Sequence, residues 1–227
     1  FVCTQDVGSC IPGSLSATWT CTFPLWYNAD PTDVSNTQFF GQKWAASIVA
    51  TDDNGTTSPL TESSSGNSKP LTSFLAYAVS QVSIAYGGLQ PGQQIDPFVA
   101  ATSTTLRAIG NTGIDESLYG ETMCPGWSST LNQNYCDTNN NFDVTKDIFA
   151  LNQKFATSAV SYAAGVALSG STTPVLFGLH VQKTTVTTTP QNKDTLWAIR
   201  IPATITVAGA YQGQNTIIAV TSSSTTW

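Results

Sequence analysis

The chain has 227 residues, of which 14 are acidic and 8 basic, for a net charge of −6. That length is enough for one large β domain or two modest ones, each with a real core. Charged residues are only 10% of the chain, against roughly a quarter in ordinary soluble proteins. Solubility therefore rests on Thr, Ser, Asn and Gln, and the acidic balance gives no electrostatic claim on nucleic acid or an anionic membrane. Exported wall, coat and filament proteins commonly have this profile, and intracellular enzymes rarely do.

The opening Phe1-Val2-Cys3 lacks a charged segment followed by an apolar one, so the sequence is expected to carry no signal peptide, either because it has been removed or because this is a piece excised from a longer chain. Residues 15–27 alternate, with Trp19, Cys21, Phe23, Leu25 and Tyr27 on one face and mostly Thr on the other, which predicts a strand facing a core. Asn28 to Asp33 is a turn by composition, with Pro31 presetting φ. A second alternating run over 44–50 ends in Asp52-Asp53-Asn54-Gly55, a hairpin signal. Residues 63–69 form a polar loop. Residues 71–87 are Ala-rich but fit period two from Phe74 to Tyr86, predicting one long strand. Strands are further expected over 97–107, 114–118, 160–163, 174–181, 196–202, 203–207 and 216–221, with a tight Gly110–Gly113 turn and a Thr-rich connector at 184–189. One short helix is expected near 143–157. Strands at intervals near ten residues with Gly, Asn and Pro between them indicate an antiparallel sandwich.

No apolar run approaches the roughly 20 residues a membrane helix needs. The five cysteines, Cys3, Cys10, Cys21, Cys124 and Cys136, include no CxxC pair, and His180 is the single histidine. No metal-site spacing results, and a disulfide framework in an oxidising compartment is the simpler reading. Cys124 and Cys136 close a short loop and are expected to pair. Cys21 is expected to pair with Cys3 or Cys10, leaving one thiol free, buried or bonded to another molecule.

Candidate chemistry is sparse. His180 lies between Leu179 and Val181 and reads as a polar strand position, because no nucleophile motif accompanies it. Asp52 and Asp53 read as a turn. Asp137, Asn139, Asn141 and Asp143 place oxygen ligands at every second residue, as at the start of a calcium loop, but Phe142 stands where that loop needs Gly and Ile148 where it needs Glu. A polar loop beside Cys136 is the reading adopted, with calcium as the sharper alternative and no other cofactor expected. Trp127 and Trp227 are candidate sugar platforms, although core packing accounts for most aromatic residues. Asn54-Gly55-Thr56 is a glycan acceptor sequon.

Four features occur in a familiar order: the turn Tyr86-Gly87-Gly88-Leu89-Gln90-Pro91-Gly92, the Gly110–Gly113 turn, Ile201-Pro202, and Gly209-Ala210-Tyr211-Gln212-Gly213 before a last strand. Together they resemble immunoglobulin-like modules of secreted and cell-surface proteins of archaea and candidate-phyla bacteria, over nearly the whole chain from about residue 19. The resemblance implies a fold class and a surface address, with no catalytic or ligand residues to carry over. Tyr211 suits a corner tyrosine, bonding backbone across the sandwich, with Gly209 and Gly213 permitting the reversal around it. Pro202 suits an edge or a bulge.

The expected organisation is an N-terminal partial immunoglobulin-like β domain over 1–80 and a C-terminal β-sandwich over 81–227. The first has too few strands to cover its own core. A segment of a neighbouring molecule is expected to complete it, giving a head-to-tail assembly. The function expected first is a non-enzymatic, extracellular, self-assembling subunit of a surface filament, pilus-like fibre or coat. An adhesin that binds glycan or a partner comes second and a secreted hydrolase third.

Overall fold

Alternating apolar positions become the buried faces of strands in the second half of the chain. The computed structural model describes residues 2–9, 11, 16–22, 24–51, 54–62, 68–125, 143–170 and 173–223. Its strands are β1 (Val2–Gln5), β2 (Trp19–Thr22), β3 (Ser47–Ile48), β4 (Thr61–Glu62), β5 (Tyr77–Ser80), β6 (Ser103–Ala108), β7 (Ile114–Gly120), β8 (Gln153–Ala156), β9 (Val166–Ala167), β10 (Val175–Val181), β11 (Asn192–Ile199) and β12 (Asn215–Thr221). Strand pairing is antiparallel throughout, and the described residues contain only 3-10 turns and no α-helix.

Two sheets carry the core, one of five strands in the order β5-β6-β11-β8-β9 and one of three in the order β10-β7-β12. Their inner faces share hydrophobic clusters. Leu106 and Ala108 of β6 pack with Ile114 of β7, Leu179 and Val181 of β10 and Ala219 of β12. Farther along, Leu118 of β7 packs with Phe155 of β8, Trp197 of β11 and Leu168. Phe155 meets Phe177 edge-on at 4.8 Å between ring centroids, a geometry that suits the aromatic quadrupoles. The outer face of β11 is covered too, because Leu196 and Ala198 pack under Phe98 and Tyr162. This central strand is thus buried on both sides, which explains why its last five residues read as an unbroken run of buried positions.

In β10 the register shifts between Phe177↔Glu116 and Val181↔Ile114, so Gly178, Leu179 and His180 oppose Asp115 alone. The bulge holds His180 at φ +52°, a backbone region that non-glycine residues seldom occupy.

The N-terminal part is organised differently. β1 and β2 form a hairpin closed by the Cys3–Cys21 disulfide, which settles the partner of Cys21. β3 and β4 pair over only two positions, and a Thr51↔Thr57 bridge flanks Gly55 at φ +82°. The facing expected for residues 15–27 is not what forms. Trp19 of the hairpin is 54% exposed and Leu25 beyond it 44%, because among the described residues no second layer covers this face; Phe23 lies outside the described residues.

Other expectations are corrected. The helix expected near 143–157 does not form. Asp143 closes a turn, accepting bonds from the Thr145 amide and hydroxyl. A 3-10 turn follows at Ala150–Asn152, and Gln153–Ala156 becomes β8 so that Phe155 reaches Trp197. The long strand over 71–87 shortens to β5, since Gln81 adopts φ +64° and Val82 is wholly exposed. Residues 160–163 and 203–207 are turn and coil. The residues β5 contributes pair with β6, so Tyr77–Ser80 join the five-stranded sheet.

Candidate functional site

The least ordinary side chains of the molecule converge on β7. In a strand successive residues point to opposite faces, and β7 places Asp115 and Glu116 back to back. Glu116 is turned inward between Ile114 and Leu118 and is fully buried. Its Oε2 accepts a 2.6 Å hydrogen bond from Thr195 Oγ1 of β11, across the gap between the sheets. Its Oε1 has no partner among the described residues. Burial pushes this carboxyl up to about 7, the Thr195 bond lowers it in part, and the Asp115 charge raises it further. Thr195 belongs to a polar seam in the core, where Trp197 Nε1 donates to Thr104 Oγ1 at 2.9 Å and Thr102 Oγ1 donates to the Trp197 carbonyl at 2.6 Å.

On the other side of β7, Asp115 Oδ1 accepts from the His180 backbone N–H at 2.6 Å and lies 3.1 Å from His180 Nδ1. Gly178 makes room for this ring, since a Cβ there would stand 2.9 Å from His180 Nε2. The imidazole borders an open groove lined by Thr157, Gly178, Leu179, Lys193 and Asp194. Among the described residues the His180 ring pairs with the Asp115 carboxylate, and no hydroxyl or thiol is hydrogen-bonded to it. The expected polar strand position holds: His180 is exposed while Leu179 and Val181 are buried.

A third cluster ties the N-terminal part to the rest. Lys183 is 6% exposed, and its Nζ stands 2.7 Å from Asp30 Oδ1 and donates to the Asn28 carbonyl at 3.0 Å. Asn28 Nδ2 returns a bond to the Thr185 carbonyl at 2.8 Å. Nearby, Asn111 acts as a strap, with its Oδ1 accepting from the Phe74 N–H and its Nδ2 donating to the Thr72 carbonyl. Gly110 beside it lets the backbone pass against the Phe74 carbonyl, where any Cβ would collide. Close approach, not positive φ, is what this turn requires.

The other residues singled out in the sequence scatter. Tyr211 is half-buried against the cluster of Ile148, Ile199 and Ile205. Its hydroxyl donates at 2.8 Å to the Val207 carbonyl, only four residues upstream, so the corner is local. Gly213 lies against Met123 and Gly209 near Pro125, while Pro202 follows the end of β11 and accepts from the Ile205 N–H. Cys124 is disulfide-bonded, and its expected partner Cys136 lies outside the described residues, as does Cys10. Asp52, Asp53, Trp127, Trp227 and all of the calcium-like segment except Asp143 also lie outside them. Asp143 is occupied by Thr145 and by Lys146 at 3.2 Å. Among the described residues no cluster of His, Cys, Asp and Glu has the makings of a metal site. Asn54 is exposed in its turn.

Sequence reasoning missed Asp115, Glu116, Thr195 and Lys183. A Glu at an inward position of a well-alternating strand was the one available signal for Glu116. Comparison of the chain with protein-family models, curated proteins and solved structures gave no match. No helix among the described residues is long and apolar enough to cross a membrane.

Proposed function

We propose that this chain is a non-enzymatic extracellular structural protein, a self-associating subunit of a cell-surface filament, fibre or coat, built on an immunoglobulin-like β-sandwich. One observation carries the reading. Before Phe98 the only buried described residues are Pro31, Thr32 and Asn36, while Trp19, Leu25, Trp26, Phe40, Trp44 and Leu60 are all exposed. Among its described residues, a segment rich in strand-forming and aromatic residues thus forms no apolar core of its own.

The exposed Trp, Phe and Leu side chains of this segment are the apolar surface that a subunit contact would cover. Strand addition from a second copy supplies both a ladder partner and an apolar cover, and a head-to-tail contact that does not close propagates into a fibre. The disulfide fits an oxidising, extracellular setting.

Electron microscopy of the native material, paired with sedimentation of the purified chain, tests the proposal. Ordered polymers or concentration-dependent oligomers are the expected result. A monomer that stays monomeric at high concentration overturns it, and if that monomer binds a glycan array, the protein is an adhesin.

A further inference from the structure

We infer that Glu116 makes the contact between the two sheets proton-dependent, so that the fold is tightest in mildly acidic surroundings and loosens as the medium is brought to neutral. The inference stands on where the carboxyl sits and what surrounds it, and it does not depend on self-association.

Glu116 is fully buried on the middle strand of the three-stranded sheet, facing the other sheet. Beside it on the same face are Phe177 of β10 and Ala219 of β12, its register partners. Opposite are Thr195 of β11 and, paired with Thr195 in register, Thr104 of β6. None of these carries a charge. The charged residues of the same elements look elsewhere: Arg107 of β6, Lys193 and Asp194 of β11 and His180 of β10 are exposed, and β12 has no titratable side chain. Asp115, the neighbour on its own strand, is acidic and adds repulsion. The buried cation Lys183 is held by Asp30 and Asn28. An ionised Glu116 would therefore sit in the core with one hydrogen bond and no counter-ion, a state that proteins avoid by keeping the proton.

The sign follows from linkage. The folded carboxyl is raised to about 7, whereas an unfolded glutamate releases its proton near the ordinary carboxyl range. Between those limits the folded chain binds more protons than the unfolded one, so stability falls as pH rises through that window and levels off above it. Composition works in the same direction at the acid end. With 8 basic residues and one histidine, little positive charge accumulates when the carboxylates are neutralised, so self-repulsion in acid stays small.

The test is equilibrium urea unfolding of the full chain between pH 5 and 8.5, for the wild type and for Glu116→Gln, which copies the shape and hydrogen bonding of the protonated acid. The wild-type unfolding constant is expected to rise on the order of a hundredfold across the range, and Glu116→Gln is expected to remove most of that rise. A flat or opposite wild-type profile overturns the inference, and so does a variant that keeps the full slope. If Glu116→Gln fails to fold, carbon-13 NMR of the Glu116 carboxyl in the wild type decides: a neutral carboxyl at pH 5.5 supports the inference and an ionised one ends it.

Discussion

Residues 2–70 and residues 98–223 of this chain are built from similar amino acids and meet different fates. The later region buries Trp197, Phe98, Phe155 and fifteen aliphatic side chains between and over two sheets. The earlier one has Trp, Phe, Leu and Ile in comparable supply and leaves most of the described ones exposed, around hairpins of four and two residues per strand. Alternation supplies a strand with an apolar face in both cases. Only where a second layer is in reach does that face become a core, because a two-stranded hairpin cannot cover itself. Burial thus depends on topology: β7 meets β10 and β12, and β6 meets β11, through contacts remote in sequence.

The comparison can be broken at its strongest point first. Trp197→Ala removes a fully buried indole from between Phe155 and Thr104 and is expected to cost about 3–5 kcal/mol, read as a loss of chemical stability in denaturant. A loss below about 1 kcal/mol, the size of a surface change, means the later region is no better packed than the earlier one. Gly110→Ala forces a Cβ against the Phe74 carbonyl, and about 1–3 kcal/mol is expected from the overpacking. Here the strap between residues 72–76 and the Gly110–Gly113 turn should loosen first, visible as faster amide exchange at Asn111.

Lys183→Met sharpens the contrast, since it releases Asp30 and the Asn28 carbonyl. Asp30 is partly exposed and rehydrates, so about 1–2 kcal/mol is expected, the scale of a charged hydrogen bond. Exchange should quicken over residues 24–50 and stay unchanged in β7 and β11. Smallest for folding is Trp26→Ala, at 61% exposure: within about 0.5 kcal/mol for the monomer. If the proposed function holds, the same change weakens self-association by an order of magnitude or more in sedimentation, as loss of an aromatic anchor does.

How much could be read in advance follows the same division. β7, β10 and β12 were legible because each has clean alternation ended by Gly, Pro or a polar turn. The stretches at 71–87 and 143–157 were not. Alanine fits helix and strand alike, and β8 exists only because Phe155 finds Trp197 more than forty residues later. Candidate site residues were hidden for a related reason. Glu116 becomes unusual through Thr195 and Asp30 through Lys183, at separations of 79 and more than 150 residues. The facing of His180 was readable from its neighbours, whereas its bond to Asp115 depends on the bulge.

That bulge has an arithmetic of its own. Three residues stand where a regular ladder has one, and the surplus is an even number, so Leu179 and Val181 return to the inner face after the detour. Removing a pair of residues there would straighten β10 and keep every later side chain on its present side. Removing or adding a single one would turn the strand inside out from that point on. Length variants at this spot should therefore survive in steps of two, which makes Gly178 a natural place to splice in a short, even-numbered tag.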